Sequence, residues 1–530
     1  MFTKTHTLRW AHRWHKKLMW PGLMCLCMFL ISALSHPLMV WTGPKADRFF
    51  PPQLQLTAEA LLATHNITQQ LMHKNATRLI KLVPTGLTAE GAVIQVSLQQ
   101  QDRINREYYA FSGEPLIDFD QQQAIWLSQY YLGEQASGVT HSQLLTSFNE
   151  QYPSVNRLLP VWRIEHASGV SVFVHTETSA LASINNDWKR SLQRVFQWLH
   201  TLSPLKPWKH LQFIVMNLLL GLLIWFVLAG ILMVLLHQSR TIKHTSRRWH
   251  RRLALVLYVP LLMLSISGVY HLWYSHLAND LSGQQLGQTI QWENVDPSSW
   301  PTTKQLAAQI NNTPNAPAQP NININHLSIF QQGQHSWLRL SVAQPNPEQS
   351  ISRQQKYRGQ SKEKTSIYWP LSSQASPLND ERLAIALGET YLRAAADQPQ
   401  SELGQSPILS ANKVTHFGQG YDFRNKRLPV WRLSASNSTL FVDPANGIMV
   451  EQVGPARAIE GTSFSWLHKW NFLTPLMNRS GRDIVVVITL SLLLLLSLLG
   501  AYLGVTQKKK AKRSSRDSGI SKEAPIKAAS

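Results

Sequence analysis

Six histidines that recur as three pairs are the residues of this chain best suited to chemistry. The pairs are His15 and His250, His36 and His271, and His200 and His468. The sequence Trp-His-Lys-Lys-Leu at residues 14–18 matches Trp-His-Arg-Arg-Leu at 249–253, an offset of 235 residues that the second pair shares. Neutral imidazole is the commonest metal ligand among protein side chains. The recurrence therefore predicts a site that binds a metal or a metal-containing cofactor.

The first two pairs bracket apolar runs. His15 and His36 are 21 residues apart, and so are His250 and His271. In a helix, 21 residues with a rise of about 1.5 Å each cover roughly 31 Å, close to the thickness of a bilayer's hydrocarbon core. Twenty-one rotations of about 100° leave the two side chains about 60° apart around the helix axis. Each helix is therefore expected to carry one imidazole near each membrane face, on nearly the same side.

Four apolar runs are long enough to cross a membrane. They are residues 18–41, 211–236, 253–273 and 484–505. Basic residues are concentrated at alternate flanks of these runs, in residues 1–17, 237–252 and 506–530. The positive-inside rule predicts that these flanks and both termini are cytoplasmic and that segments 42–207 and 277–480 lie on the opposite side. We expect a multi-pass protein of the bacterial inner membrane with two periplasmic segments.

The composition agrees with a membrane protein. The chain has 530 residues and a formal net charge of +21, but only 15% of its residues are charged. Because the basic residues flank apolar runs and form no separate basic domain, we expect membrane lipid and no nucleic acid as a partner. The two cysteines, Cys25 and Cys27, lie in the first run and face different directions on a helix, so we expect apolar packing and no disulfide.

The available ligands favour haem over a bare metal ion. Zinc and non-haem iron usually collect three or four ligands, often including carboxylates or thiolates. The four apolar runs contain no Asp or Glu. Paired imidazoles alone suit bis-histidine haem, because the macrocycle supplies the other four ligands. We expect two or more haem b groups. The basic residues beside His15 and His250 either pair with haem propionates or only set the topology.

Two arrangements of the axial ligands remain open. His15 and His250, here called the inner pair, are expected to hold a haem near the cytoplasmic face. The remaining histidines of the repeat, here called the outer four, lie near the periplasmic face: His36, His271, His200 and His468. Either the second pair faces itself, or each of its members pairs with a member of the third pair and gives two sites. Three other histidines could be inner ligands but have no mate in the repeat: His12, His237 and His244.

The large outer segments combine helix and strand signals. Short helices are predicted at residues 56–65, 121–132, 302–311 and 379–396, and a strand at 92–98. Residues 344–364 are polar and are predicted to form an exposed loop. The repeat continues here, because residues 156–164 match 425–433. Two halves with the same order of elements predict a parallel pseudo-twofold about the membrane normal.

With these features the chain resembles the PepSY-associated transmembrane proteins, and within them the inner-membrane ferric-siderophore reductases. The resemblance covers about residues 9–505. It rests on Trp14-His15 at the start of the first helix, the large outer segment, and the hairpin turn Asp-Pro-Ala-Asn-Gly at residues 443–447. The first copy departs from that turn, with His175 in the place of Asp443. The resemblance implies four membrane helices carrying b-type haem, with two α+β PepSY-like periplasmic domains.

The resemblance also implies a function. We expect an inner-membrane haem protein that passes electrons to the periplasmic face and reduces a ferric siderophore or another ferric chelate for iron uptake. No side-chain catalytic motif and no flavin or nicotinamide fingerprint is present, so haem performs the redox step and a quinol or a cytoplasmic reductase supplies the electrons. The alternative is a non-enzymatic PepSY membrane protein that binds a periplasmic protein or peptide, to restrain a protease or assist assembly. A transporter is disfavoured because the apolar runs lack interruptions and buried charges.

Overall fold

The structure is a computed structural model, and it describes residues 4–520 except 75, 101–102, 237–244, 278–281, 312–321, 345–362, 373–375, 396–406 and 419. Nearly all of the predicted 344–364 loop, together with His237 and His244, lies outside the described residues. The chain divides into two compact units. The helical unit comprises residues 1–43, 188–279 and 459–530. The sheet unit comprises residues 44–187 and 280–458.

The α-helices follow one another through both units. They are α1 (Lys4–Thr42), α2 (Ala58–Gln70), α3 (Phe119–Leu132), α4 (Asp187–His200), α5 (Lys209–Leu236), α6 (Thr245–Leu277), α7 (Thr303–Asn311), α8 (Asp380–Ala395), α9 (Pro455–Ser463) and α10 (Arg479–Ile520). A π-helix, Phe464–His468, follows α9. The four short helices predicted for the outer segments are confirmed by α2, α3, α7 and α8.

The strands belong to the sheet unit. They are β1 (Leu54–Gln55), β2 (Thr77–Pro84), β3 (Ala92–Gln100), β4 (Arg103–Tyr109), β5 (Val139–Leu145), β6 (Val161–His166), β7 (Ser171–His175), β8 (Ala180–Asn185), β9 (Ser282–Gln285), β10 (Asn323–Gln332), β11 (His335–Ala343), β12 (Glu363–Pro370), β13 (Ile408–Val414), β14 (Val430–Ala435), β15 (Thr439–Asp443) and β16 (Ile448–Val453). The strand predicted at residues 92–98 is confirmed by β3.

Four helices of the helical unit are long and apolar enough to cross a membrane, as predicted: α1, α5, α6 and the part of α10 up to Thr506. In hydrocarbon every backbone N–H and C=O must be paired within the segment, which an uninterrupted helix achieves. Helix α1 contains Pro21 and Pro37, and α6 contains Pro260. Proline is tolerated in membrane helices where neighbouring groups satisfy the freed carbonyls.

The two helices that carry the first two histidine pairs lie at opposite corners of the helical unit. Helix α1 packs against α5 and α10, and α6 packs against the same two helices. Buried apolar residues from all four helices form the core between them, among them Leu26, Leu223, Leu257 and Leu493. Cys25 is buried in this core and Cys27 is half-buried, and both are free thiols, as predicted.

One sheet joins the two outer segments. Strands β2, β3 and β4 of the first segment and β10, β11 and β12 of the second form a seven-stranded sheet with β1. The junction is the antiparallel pairing of β2 with β10, in which Leu82 lies opposite Leu327 and Ile80 opposite Ile329. All four of these side chains are fully buried. The two segments therefore share one hydrophobic core.

Each outer segment also forms a smaller antiparallel sheet in contact with one helix. Strands β5, β6, β7 and β8 make the first of these sheets, and α3 packs on it. Strands β13, β14, β15 and β16, with β9 at the edge, make the second, and α8 packs on it. The register is the same in both, because Leu144 lies opposite Trp162 and Lys413 opposite Trp431. Residues can therefore be compared between the two segments strand by strand.

A hydrogen bond from a buried tyrosine to an aspartate recurs in both segments. In the first, Tyr108 donates a 2.6 Å hydrogen bond to Asp120. In the second, Tyr368 donates to Asp380, which also accepts from Arg339 Nε at 3.0 Å. Burial alone would raise the pKa of Asp380, but the charge and hydrogen bonds of Arg339 lower it from 3.8 to about 2. The Asp380 carboxylate is therefore ionised in the fold and stabilises it.

Asp380→Asn should lower the free energy of unfolding of the sheet unit by about 3 kcal/mol at pH 7, because Arg339 stays buried with one carboxylate fewer. The loss should shrink below about pH 5. The wild-type carboxylate stays ionised in the fold at pH values where the unfolded chain already takes up the proton, so acid removes its contribution. Thermal unfolding of the full chain, followed by circular dichroism at several pH values, measures both effects. Glu114→Gln, at an exposed turn, is the control, and a gap that stayed constant down to pH 2 would contradict the assignment.

Candidate functional site

The outer four histidines lie in one chain of aromatic rings in the helical unit. Phe196 stacks on His200 with ring centroids 4.7 Å apart, and its centroid is 5.7 Å from that of His36. In the second half Phe464 stacks on His468 at 4.7 Å and on His271 at 4.5 Å. These are matching contacts, made by residues that occupy matching positions in the repeat.

The two halves of this ring chain meet at its centre. The ring centroids of His200 and His468 are 6.0 Å apart, and the ring planes are nearly perpendicular. The structure therefore brings the two members of the third pair into contact with each other. Each member of the second pair instead contacts a phenylalanine that stacks on the third-pair histidine of the same half. Phe196 lies between His36 and His200, and Phe464 lies between His271 and His468.

Local structure differs around the two central imidazoles. His200 is the last residue of α4, a regular helix. His468 ends the π-helix Phe464–His468. A π-helix inserts an extra residue into the turn and is frequent at functional sites. In both segments the phenylalanine and histidine four positions apart still lie on the same face.

A serine of α1 fixes the orientation of His200. Ser32 Oγ donates to the carbonyl of Phe29 at 2.8 Å and lies 3.0 Å from His200 Nδ1. Because the only hydroxyl proton of Ser32 is used by Phe29, His200 Nδ1–H must donate to Ser32 Oγ. Nε2 of His200 then carries a free lone pair. Metal-ligating histidines generally hold their other ring nitrogen in this way.

His271 is oriented by a buried carboxylate. Its Nδ1 lies 2.5 Å from Glu460 Oε1, and the side chain of Glu460 is 4% exposed. A carboxylate accepts the Nδ1 proton, so Nε2 is again left as the free nitrogen. The equivalent position in the first half is Leu192, so His36 has no carboxylate partner of this kind.

Burial keeps the central imidazoles neutral. Burial is the main cause that lowers the pKa of His200 to about 4, and the charges of His36 and His271 add to it. Burial likewise lowers the pKa of His468 to about 3, with smaller contributions from His200 and His271. Both rings are therefore unprotonated near pH 7, which is the form that coordinates metal.

Each histidine of the inner pair packs against a glycine of a neighbouring helix, and we call this position a glycine seat. His15 stacks on Phe226 of α5 at 4.6 Å, and its Nδ1 lies 3.4 Å from the Phe226 carbonyl oxygen. A Cβ at Gly230 of α5 would lie 3.3 Å from His15 Cε1. A side chain at Gly230 would therefore crowd the imidazole.

His250 has the corresponding seat on α10. A Cβ at Gly500 would lie 3.1 Å from His250 Cε1. The carbonyl of Leu496 is close to this ring, but His250 Nδ1 is buried without a well-formed hydrogen bond. The same arrangement of imidazole, carbonyl and glycine is thus present at α1–α5 and at α6–α10.

These ligands fit haem better than a bare ion. Among the described residues no three His, Cys, Asp or Glu side chains come together as a metal-ion site. Haem needs only one or two axial imidazoles with a free nitrogen. His200 and His271 provide such nitrogens, because Ser32 and Glu460 hold their Nδ1 atoms and leave Nε2 free.

Several contributing residues were not predicted from the sequence. Ser32 and Ser267 follow an isoleucine and precede the second-pair histidines by four residues in both copies, and extending the 235-residue repeat would have found them. Ser267 Oγ is buried without a hydrogen-bond partner. Gly230 and Gly500 would have required a separate alignment of α5 with α10. Glu460 has no mate in the repeat and gave no signal.

Other predicted residues lie elsewhere. His12 is exposed. His175 is the buried last residue of β7, and its Nδ1 lies 2.8 Å from Thr178 Oγ1. Asp443, its counterpart, pairs with Arg427 at 3.1 Å. His210 and His276 form a further histidine pair, with ring centroids 5.5 Å apart. This pair was not predicted from the sequence, because neither histidine has a mate in the repeat.

The comparisons with known proteins add no relative. The chain matches no protein-family model, no curated protein and no solved structure.

Proposed function

We propose that the protein is a haem-containing electron carrier of the bacterial inner membrane. It would pass electrons from the cytoplasmic to the periplasmic face and reduce a ferric siderophore or another ferric chelate, so that iron is released as the ferrous ion. The sheet unit would be periplasmic and contain two PepSY-like domains. Both termini would be cytoplasmic, as the basic flanks of the apolar runs require.

One observation carries the proposal. The outer four histidines and two phenylalanines form a continuous ring chain, with equivalent contacts on either side of the contact between His200 and His468. Equivalent imidazoles are what a pseudo-twofold membrane core would offer to bis-histidine haem. The matching glycine seats of His15 and His250 support a second ligand set at the other end of the same helices.

The residues of the chain have defined roles in this proposal. His15 and His250 would be axial ligands of an inner haem b, and the outer four would supply the ligands of one or more outer haems. Haem supplies reversible one-electron transfer when bound. Ser32 and Glu460 hold the Nδ1 protons of His200 and His271, so that Nε2 points away from the hydrogen bond. The apolar core around Leu26 and Leu493 excludes water from between the two ligand sets.

The partners follow from the same proposal. A quinol in the lipid or a cytoplasmic reductase would supply electrons near His15 and His250. The ferric chelate would accept them on the periplasmic side, near the ring chain. Ferrous iron is bound more weakly than ferric iron by hard oxygen ligands, so reduction releases it from the chelate.

Alanine at His200 and at His468 should each reduce the haem-to-protein ratio of the purified chain by about half, because the outer ligands are lost and the inner pair remains. The ratio is measured from the Soret band and the protein concentration in detergent. His276→Ala, at the other histidine pair near the ends of α5 and α6, is the matched control and should keep its haem. A colourless wild-type protein would contradict the proposal. It would favour the alternative function, a PepSY membrane protein that binds a periplasmic protein or peptide.

Ser32→Ala should weaken outer-haem binding by about tenfold, because the partner of His200 Nδ1 is lost, whereas Ser267→Ala should leave it unchanged, because Ser267 Oγ bonds nothing. Titration of the haem-depleted protein with haemin, followed at the Soret band, gives both affinities. The midpoint potential of the outer haem should also shift in Ser32→Ala alone. Equal effects of the two substitutions would show that the serine does not position His200.

His250→Ala should abolish reduction of an external ferric chelate by a reductant enclosed with the protein in vesicles. Electrons would enter at the inner ligand set, and no other described histidine has the same glycine seat on α10. The protein is placed in vesicles that contain dithionite, and ferric ferrioxamine is added outside. A ferrous-iron indicator in the external solution gives the rate of reduction. His276→Ala should match the wild type. A wild-type rate in His250→Ala would exclude the inner pair from the electron path.

A further inference from the structure

One short helix of the helical unit buries its carboxylate and exposes its largest apolar side chain. Glu460 is the only residue of α9 that is buried, whereas Ile459 beside it is 62% exposed. Glutamate is almost never fully buried in proteins unless it has a partner. The orientation of α9 is therefore explained by what Glu460 contacts and not by apolar packing.

The partner of Glu460 is an imidazole on a long apolar helix. Oε1 of Glu460 lies 2.5 Å from His271 Nδ1. His271 belongs to α6, one of the four helices long and apolar enough to cross a membrane. Ionisable residues in such segments are costly to fold and usually mark a functional site. The pair is therefore a candidate for a functional role beyond stability.

Two contacts fix the ring of His271 and leave part of it open. The side chain of His271 is 44% exposed, although the carboxylate behind it belongs to a side chain that is only 4% exposed. Phe464 stacks on the imidazole, with ring centroids 4.5 Å apart. The ring is thus held at Nδ1 and on one face, and it keeps surface available for a ligand.

The hydrogen-bonding groups beside the other described histidines of the three pairs are neutral. Ser32 Oγ accepts from His200 Nδ1, and the main-chain oxygen of Phe226 lies beside His15 Nδ1. A hydroxyl and a carbonyl oxygen carry only partial negative charge, whereas a carboxylate carries a full one. Charge-assisted hydrogen bonds are roughly twice as strong as neutral ones. Among the six histidines, His271 therefore has the strongest acceptor on its ring.

The first half has the same framework without the carboxylate. Phe196 and His200 of α4 match Phe464 and His468, but the position of Glu460 is taken by Leu192. Leu192 is half-buried and has no group that can accept a proton from an imidazole. The two halves of the ring chain are therefore alike in their rings and unlike in their charge.

A carboxylate on Nδ1 changes the electronic character of a ligating imidazole. By accepting the Nδ1 proton it makes the other ring nitrogen more basic. A more basic ligand stabilises ferric iron more than ferrous iron, because the ferric ion carries one more positive charge. Hydrogen bonding to an axial ligand is one of the means by which a protein sets the reduction potential of haem.

We propose that Glu460 lowers the reduction potential of the haem that His271 ligates, and that it does so in the second half alone. This inference rests on the function proposed above, since it takes haem as the group that His271 binds. Glu460 acts through His271 and is a positioning residue. A lower potential makes the reduced haem a stronger reductant towards a ferric chelate.

Spectroelectrochemical titration of the purified full chain in detergent, followed at the Soret band, tests the proposal. Glu460→Gln should raise the midpoint potential of one haem component, because a neutral amide replaces the carboxylate. We expect the ratio of ferric to ferrous stability to fall about tenfold, which is about 59 mV for a one-electron couple. Glu460→Asp should shift the same component upwards by less, since the shorter side chain keeps the charge but holds it farther from Nδ1.

Leu192→Gln is the matched control, because it places the same amide at the equivalent position of the first half. Every component should stay at its wild-type potential in this variant. An equal shift in Leu192→Gln and Glu460→Gln would overturn the proposal, since it would trace the effect to the amide and not to the lost carboxylate.

The outcomes separate this inference from the function on which it rests. A wild type that binds no haem overturns both. A haem-loaded wild type whose components all stay in place in Glu460→Gln overturns the role of Glu460 alone. If Glu460→Gln binds no haem, the potential of Glu460→Asp decides. An upward shift then supports the proposal, and a wild-type value overturns it.

Discussion

An imidazole enclosed by apolar helices must have its N–H group hydrogen-bonded, because an unpaired polar group in such surroundings costs several kcal/mol, on the order of 2–7. This requirement organises the helical unit. Ser32 meets it for His200, Glu460 for His271, and a main-chain carbonyl lies beside His15. In each case one ring nitrogen has a hydrogen-bonding group beside it and the other does not take part in that contact. At His468 the requirement is not met, because its Nδ1 is buried without a hydrogen-bond partner.

The sheet unit meets a different constraint, the pairing of strand edges. The antiparallel contact between β2 and β10 turns two three-stranded pieces into one sheet, and their shared core includes Leu82 and Leu327. Once the backbone is paired across this junction, the two halves are free to differ in their polar side chains. Arg339 donates to Tyr368, Asp380 and Glu363 in one half, whereas Arg106 in the other donates to Thr176 and lies near the carboxylates of Asp120 and Glu177. The fold thus tolerates different buried polar contacts in its two halves.

Much of this structure could be predicted from the sequence, because the signals are local or repeated. Apolar runs of sufficient length gave the four long helices, and period and turn residues gave the short helices and β3. The sequence also identified the six histidines as three repeated pairs. It could not give the contact between His200 and His468, or the pairing of β2 with β10, because both join residues about 250 positions apart. Glu460 could not be inferred, because a single carboxylate without a repeated partner looks like any other acidic residue.

The shared sheet also bears on how the protein is made. Until residues 323–332 have been synthesised, β2 is an open edge with unpaired backbone groups, and its side chains on both faces are of the kind that the folded sheet buries. Such an edge readily pairs with other chains. Two long apolar helices, α5 and α6, are synthesised during that interval. The first segment therefore exposes a strand edge that can pair with other chains until its partner strand has been made.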